Sequence, residues 1–582
     1  MSEAAFLGVD ASLTGRRWVG PTPAQDRLAE ALAQETSLPL ALCRIMAERG
    51  INPAEATGWL APSLRDLLPD PMRLRDMGPA ADRFIAALNG REKIAIFADY
   101  DVDGATSAAL LMGWLRDMGH GASLYIPDRI TEGYGPNVPA MQKLARDHSL
   151  IICVDCGTLS HDAIAAAEGA DVIVLDHHLG GEVLPDCAAV VNPNRQDETG
   201  DLAHLCAAAV VFLLLVEVNR RLRAPGRALP DLMASLDLVA LATVADVAPL
   251  IGVNRALVRQ GLRVLAQRAR PGLVALADVA GMNTAPTATH LGFLLGPRIN
   301  AGGRIGAPDL GARLLATTNP AEARAIAAQL DQLNADRREI ENAVRDQAFA
   351  QARTRGLDGP LVWAAGPDWH PGVVGIVAAR LKEATGRPAV VIGLQDGIGK
   401  GSGRSVSGVD LGAAIQRLAA EGHLIAGGGH KMAAGLTVAQ DRIEPAMERL
   451  GALLARQGAG AGSPADLRLC GLLMPGAAQI DLITRLDTAG PFGAAAPAPR
   501  FALPDMAILH ARRVGESHLK ISAGDGLGAR IDAIAFGAFD SPLGEALESH
   551  NGARFHLAGR LEINNWNGRL SPQLRLEDAA RA

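Results

Sequence analysis

The sequence predicts an α/β protein: a parallel-sheet domain, a smaller α/β domain joined to it by a long helix, and a C-terminal β-barrel. Three observations carry this. From residue 93 short apolar runs alternate with helical stretches, the signature of βαβ units. Residues 321–356 place apolar side chains at helical spacing without a break. From 465 onward, short alternating runs are separated by Gly, Asn and Asp.

Residues 1–90 read as helices and loops with Pro-rich breaks near 62–72, a segment expected to pack on the core. Lys93–Ala98, Ser123–Ile126, Leu150–Val154 and Asp171–Leu175 are the strands of the first sheet, expected within 91–320. Helical stretches at 105–118, 137–147 and 161–168 lie between them and cover both faces. In 321–356, Ile326, Leu330, Leu333, Ile340 and Val344 recur on one helix face. At 1.5 Å per residue that helix reaches roughly 50 Å, enough to bridge two domains. A second α/β unit is expected at 357–455, then a flexible linker at Gln457–Pro464. The barrel of 465–582 is expected to be an OB-fold.

The chain has 582 residues, a length suited to two to four domains. Its 48% hydrophobic and 20% charged residues are an ordinary globular mix. A net charge of -7 weighs against a nucleic-acid partner, unless the acids cluster around cations and a separate basic face tracks phosphates. The six cysteines form no disulfide ladder, and the CxxC of Cys153 and Cys156 has no second pair to complete a zinc site. The first residues lack a signal-peptide pattern, and Ala207–Val216 is too short to span a bilayer. A reducing, cytoplasmic setting without membrane attachment is expected.

Each strand of the first sheet ends in polar residues: Asp99, Asp101 and Asp103, then Arg129 and Glu132, then Asp155, then Asp176, His177 and His178. In open α/β sheets the ligand crevice lies beyond the carboxyl ends of the strands, so groups far apart in sequence gather there. Three alternating carboxylates after a buried strand repel one another and lose hydration, and divalent cations relieve both costs. A solvated turn is the alternative reading. A Ca²⁺ loop of EF-hand type is excluded by the missing Glu at position twelve. Mixed carboxylate and imidazole ligands suit Mn²⁺, with Mg²⁺ where oxygen dominates. A shared carboxylate such as Asp155 would bridge two ions about 3.5–4 Å apart, the arrangement that activates water against a phosphodiester. His178 is then free to contact phosphate or act as an acid. Asp246, after an apolar run, reads either as a ligand or as a helix cap.

These motifs resemble the DHH phosphoesterase superfamily: Asp101-Val-Asp103-Gly104, Asp155, and Asp176-His177-His178. The run from Pro127 through Arg129 and Glu132-Gly133-Tyr134-Gly135 is similar to the RecJ branch of single-stranded-DNA-specific exonucleases. So are Leu241–Pro249 with Asp246, and Gly296–Arg304 with Arg298, Asn300 and Arg304. The match runs in order from about 90 to 435. The resemblance implies two Mn²⁺ or Mg²⁺ ions, one on Asp101 and Asp155, the other on Asp103, Asp155, His177 and Asp246. Asp99 is implied as a ligand or a close neighbour of one. In manganese pyrophosphatases a His lies four residues before the first paired Asp; here that position is Phe97, so the first ion's shell departs from theirs.

Gly401–Ser405 and Gly427-Gly428-Gly429-His430 lie in the second α/β unit, where glycines let backbone N–H groups approach an anion. Walker spacing is absent, so no ATP P-loop is expected. Gly401–Ser405 and Gly428–Gly435, together with Trp369–Val377, look like a DHHA1 domain. That likeness implies a cleft with metals on one wall and phosphate donors on the other. Arg129, Ser402 and Arg404 would take a terminal 5′ phosphate; Arg298, Asn300 and Arg304 would contact the strand; Gly428, Gly429 and His430 would add donors. A narrow cleft would admit single-stranded DNA only and give 5′→3′ release of 5′-mononucleotides in DNA repair and recombination. In the barrel, Arg512, Arg513, Lys520 and Arg530 are candidate charges and Phe555 and Trp566 candidate stacking rings. A single-strand-binding protein and a RecQ-type helicase are implied partners. Two other readings fit the core: a phosphodiesterase for short oligoribonucleotides or cyclic dinucleotides, and a non-catalytic single-strand-binding scaffold. The long N-terminal segment, the barrel and the intact acids favour the exonuclease.

Overall fold

The computed structural model describes residues 4–129, 131–460, 466–566 and 568–582, without the side chain of Trp566. It divides into two compact units. One runs from Leu68 to Gly462; the other joins the N-terminal residues through Leu67 to the barrel. The expected N-terminal block of 1–90 is therefore cut at Leu67, and only its last part belongs with the catalytic sheet.

In the larger unit, five parallel strands form the first sheet in the order β2-β1-β3-β4-β5. They are β1 (Ile94–Ala98), β2 (Ala122–Tyr125), β3 (Leu150–Val154), β4 (Asp171–Leu175) and β5 (Ala189–Val191). Strands β1 and β3 are buried along their whole length, which is why they read as unbroken apolar runs. Strand β5 was not expected; three residues are too few for a pattern. Helix α1 (Val102–Asp117) leaves β1 directly, and α2 (Ala207–Leu222) and α3 (Leu236–Ala245) pack beside it. Helix α4 (Gly296–Ile305) follows a π-helical turn at Leu291–Leu295.

The long helix is α5 (Pro320–Arg355), capped by the Asn319 side chain, started by Pro320 and ended at Gly356. It meets a second sheet of order β9-β10-β8-β7-β6: β6 (Val362–Pro367), β7 (Ala389–Gln395), β8 (Ile398–Arg404), β9 (Ala426–His430) and β10 (Ala433–Ala439). Only β6 and β7 are parallel; the rest pair antiparallel. Helix α6 (Pro371–Thr385) packs on β7 and β8, and α7 (Leu411–Ala420) on β9 and β10.

In the other unit, β11 (Phe501–Val514), β12 (His518–Gly524), β13 (Arg530–Ala535), β14 (Arg554–Trp566) and β15 (Arg569–Arg581) close into a barrel. N-terminal helices share its core: Leu32, Leu42 and Met46 lie in one apolar cluster with Leu503, Leu519 and Leu557. Phe555 is fully buried in that cluster. The expectation that it stacks on bases is corrected: the pleat turns Phe555 and Leu557 inward together. Trp566, the other expected ring, lies outside the described side chains. Lys520 pairs with Asp532 and Arg513 with Glu548, so two of the four candidate cations are engaged.

Candidate active site

Asp101 is the N-cap of α1. Its Oδ1 accepts from the N–H groups of Asp103 (2.8 Å) and Gly104 (3.2 Å), which fixes the turn after β1. A Cβ on Gly104 would sit 2.3 Å from the Asp99 carbonyl oxygen, so only glycine lets the acidic loop close this tightly. Asp103 points inward, and its two oxygens accept from Ala207 N (2.6 Å) and Ala208 N (2.8 Å) at the start of α2. The positive end of that helix dipole holds the carboxylate.

Asp155 follows β3 with φ +60°, a left-handed conformation costly outside glycine and concentrated at functional sites. Both its carboxylate oxygens are buried without a hydrogen-bond partner, as are Asp99 Oδ1 and His177 Nε2. Burial first, then the charges of Asp103, Asp101, Asp99 and Asp176, push the Asp155 carboxyl well above the usual range. Burial and Asp101 do the same to Asp99. Asp246 is pushed up to about 8 by burial, Asp103 and Asp101. It sits at the C-terminal end of α3, where the helix dipole disfavours a carboxylate, so the capping reading does not account for it. The next residue, Val247, has φ +59°, a conformation that β-branched side chains rarely adopt.

Three groups have ligand atoms close enough to share an ion: Asp99, Asp101 and Asp155; Asp103, His177 and Asp246; and Asp155, His177 and His178. Orphaned buried oxygens and a crowd of raised carboxyls are what a divalent cation repairs, so the residues present fit Mn²⁺ or Mg²⁺.

Asp176 is not in any of these groups. Its Oδ1 accepts from the N–H groups of His177 and His178 and lies 2.8 Å from His178 Nδ1; its Oδ2 accepts from Thr158 N and Oγ1. Burial opposes the charge, but these hydrogen bonds outweigh it and hold the Asp176 carboxyl below its usual range. Burial also opposes the charged form of His178, yet Asp176 outweighs it and raises the imidazole to about 9. Asn192 Nδ2 donates to the His178 carbonyl and Asn194 Nδ2 to the His177 carbonyl, both at short range. The Tyr134 hydroxyl lies 3.1 Å from the Asp155 carbonyl oxygen and 3.2 Å from His178 Nδ1. Thr158, Asn192 and Asn194 were not singled out in the sequence, and Tyr134 entered only as part of the Glu132–Gly135 motif, without a role of its own. Asn192-Pro-Asn194 directly follows β5, so the strand-end rule would have found it had β5 been legible.

A group of cations lies close enough to the acids for their charges to interact, Arg129 with Asp99 and Arg304 with Asp101. The Arg129 guanidinium is 5.2 Å from the Tyr100 ring centroid, and Arg304 donates to the Gly372 carbonyl at 2.9 Å. Arg404 donates to Ser402 Oγ at 3.0 Å. Burial, then the charge of Arg129, lowers Arg304 to about 10 and lowers Arg404 and His370 as well. Among the described residues, none of Arg129, Arg304 and Arg404 forms a carboxylate salt bridge; a shared anion would satisfy all three. Register extends this face across the sheet: Ser402 pairs with Gly435 and that with Gly428, while Arg404 pairs with Ala433 and that with His430. Ser402, Arg404, Gly428 and His430 thus share one face, and Gly429 belongs to the other, toward α7. Asn300 Oδ1 accepts from Val102 N, so it supports the acidic loop.

Arg298 is a correction. It is buried and ion-paired to Asp331 of α5 at 2.8 Å, and it donates to the Leu294 carbonyl. Arg304, six residues on, points about 120° away around the helix axis, so the buried Arg298 does not share its face.

Residues 93–243 match the DHH family, N-terminal domain, residues 358–456 the DHHA1 domain, and residues 471–578 the RecJ OB domain. The single-stranded-DNA-specific exonuclease RecJ of Dickeya dadantii is 38% identical over 567 residues, covering 93% of this chain and 96% of that protein. The Escherichia coli protein of the same name is 37% identical over 563 residues, again covering 93% and 96%. A crystal structure of RecJ in complex with Mn²⁺ from Thermus thermophilus superposes with a TM-score of 0.80 at 32% identity, over 97% of this chain and 79% of that one. A second, with Mg²⁺, gives 0.74. Among the described residues no helix is long and apolar enough to cross a membrane.

Proposed function

The chain belongs to the RecJ family, and on that premise we infer that it is a metal-dependent, single-stranded-DNA-specific exonuclease. The observation that carries the chemistry is Asp155: two buried, unpartnered oxygens between two clusters of potential ligands. In this reading Asp101, Asp155 and Asp99 hold one Mn²⁺ or Mg²⁺, and Asp103, Asp155, His177 and Asp246 the other. Such a pair supplies an activated water and neutralises charge on the leaving oxygen.

The chain's own groups do the rest. Asp103 is locked by the α2 N-terminus and keeps the acidic loop in register with His177. Asp176 orients His178 and keeps a proton on it at neutral pH, where it neutralises a phosphate oxygen or protonates the leaving oxygen. Arg129, Ser402, Arg404 and Arg304 surround a terminal 5′ phosphate, with Gly428 and His430 further along the same sheet face. Anchoring the phosphate there sets 5′→3′ polarity and release of 5′-mononucleotides. The barrel contributes to strand binding through the Phe536 ring, which is exposed beneath Arg575 and beside His518. Roles in DNA repair and recombination in the cytoplasm, a RecQ-type helicase that supplies the single strand and a single-strand-binding protein that covers it belong to the same proposal.

Digestion of single-stranded and duplex DNA with each end blocked in turn, with and without Mn²⁺, tests it. Mononucleotides released only from an open 5′ end of single strands, only with metal, are expected. Cleavage confined to two-to-five-mers would favour an oligonucleotide phosphodiesterase, and metal-independent binding without release a scaffold.

A further inference from the structure

Helix α4 presents three kinds of surface. One side is buried: Arg298 meets Asp331, and Gly302 and Gly306 lie against Leu330 and Leu333 of α5. A second side forms the rim of the acidic cluster. A Cβ on Gly296 would be 3.4 Å from Ala245, next to Asp246; Asn300 holds Val102 N; a Cβ on Gly303 would be 2.8 Å from the Tyr100 carbonyl. The third side, adjoining that rim, carries Phe293, Pro297 and Arg304 at spacings of four and seven residues, one row on a helix. Phe293 is 77% exposed, in a chain where aromatic rings make up 3% of residues. It sits in the π-helical turn, a feature frequent at functional sites.

Arg304 marks the cationic end of this row and Ala245–Asp246 lies beside its middle. Phe293 is at the far end, eleven residues from Arg304, about 16 Å along the axis. A strand whose 5′ phosphate rests among Arg129, Arg304 and Arg404 and whose first linkage lies at the acids continues toward that ring. The distance corresponds to roughly five stacked nucleotides at 3.4 Å each, and fewer for a stretched strand.

We propose that Phe293 is the platform on which a base of the incoming single strand stacks, three to five nucleotides from the 5′ end. The inference rests on the exonuclease reading and assigns it a length-sensing contact. A base in a duplex is already stacked on its neighbours and paired, so the ring rewards single strands. Its flat face accepts any base, consistent with digestion that does not depend on sequence.

The test compares wild type, Phe293→Ala and Phe293→Trp on a 5′-phosphorylated 20-mer and on a dinucleotide too short to reach the ring. In wild type the 20-mer has the lower KM. In Phe293→Ala that advantage shrinks about tenfold while kcat on the 20-mer falls less than twofold, and Phe293→Trp retains it. A single abasic position moved along nucleotides three to five raises the wild-type KM at one or two places and leaves Phe293→Ala insensitive there. An undiminished advantage in Phe293→Ala, equal KM rises on both substrates, or abasic scans that coincide for the two proteins would overturn the proposal. Failure of wild type to digest single strands at all would instead sink the exonuclease reading, and that result is visible before any variant is made.

Discussion

His177 Nε2 lies 3.3 Å from Asp155 Oδ1, yet neither atom takes part in a hydrogen bond. Two polar atoms this close, buried and misaligned for a proton between them, have the relation of two ligands on one ion. Around them Asp103 and Asp246 approach the same imidazole at 3.7 Å each.

Asp155→Ala and Asp103→Ala will both lose hydrolysis by at least a thousandfold, but only one loses stability. Asp155 accepts no hydrogen bond through its carboxylate, and its removal relieves repulsion, so the metal-free Tm holds or rises. Asp103 satisfies two buried N–H groups of α2, and its removal costs about 1–3 kcal/mol. Single-turnover digestion and thermal melts check both; equal melting shifts for the two variants would contradict the assignment.

Metal affinity will rise with pH. The Asp246 carboxyl, raised to about 8, is protonated in the metal-free fold at pH 6 and must lose that proton to bind an ion. A raised folded pKa stabilises the metal-free protein at low pH, and this contribution fades as pH climbs toward 8. The Mn²⁺-induced increase in Tm will therefore be larger at pH 8.5 than at pH 6, measured at one metal concentration. A pH-independent increase contradicts this.

Asp176→Asn will move the alkaline limb of the kcat profile to lower pH. Removing the Asp176 charge lowers the His178 pKa from about 9 toward the ordinary imidazole range. A profile that scales down without shifting would mean that His178 does not carry the proton.

The strand-end chemistry was legible because parallel strands buried on both faces are unbroken apolar runs, and each such run ends where its acids begin. Asp99, Asp101, Asp103, Asp155 and His177 are therefore singled out as candidates from sequence, and the fold brings them within reach of one another. Register and rotation were not. Arg298 lies in the same motif as Arg304 but on the buried side of α4, where it pairs with Asp331. Phe555 falls on the inward phase of its strand, whereas Phe536 precedes Gly537 at a turn and stays out. Asp176, read as part of a ligand motif, orients its neighbours, because Thr158, which donates to it, and Asn192, which donates to Thr158, come from other strand ends.

That distinction gives a prediction for the barrel. Phe555→Ala will destabilise the protein by about 3–5 kcal/mol, as expected for a fully buried ring. Phe536→Ala will leave the Tm within about 1 kcal/mol of wild type and weaken single-strand binding by about 1–3 kcal/mol. Thermal melts and fluorescence anisotropy with a labelled oligonucleotide separate the two; the opposite pattern would reverse the assignment.

Arg404→Ala will erase the preference for a 5′ phosphate over a 5′ hydroxyl. A charge-assisted hydrogen bond to phosphate is worth about 1.5–3 kcal/mol, so kcat/KM on phosphorylated ends falls tenfold to a hundredfold while hydroxyl ends change little. Equal losses on both ends would place Arg404 elsewhere in the reaction.

The proposed two-metal chemistry requires Asp155 to be shared by two cations. Crystals grown with Mn²⁺ and measured at the manganese absorption edge test it directly. Two anomalous peaks are expected about 3.5–4 Å apart, both within ligand distance of Asp155. A single peak, or peaks that leave both Asp155 oxygens without an ion, would contradict it.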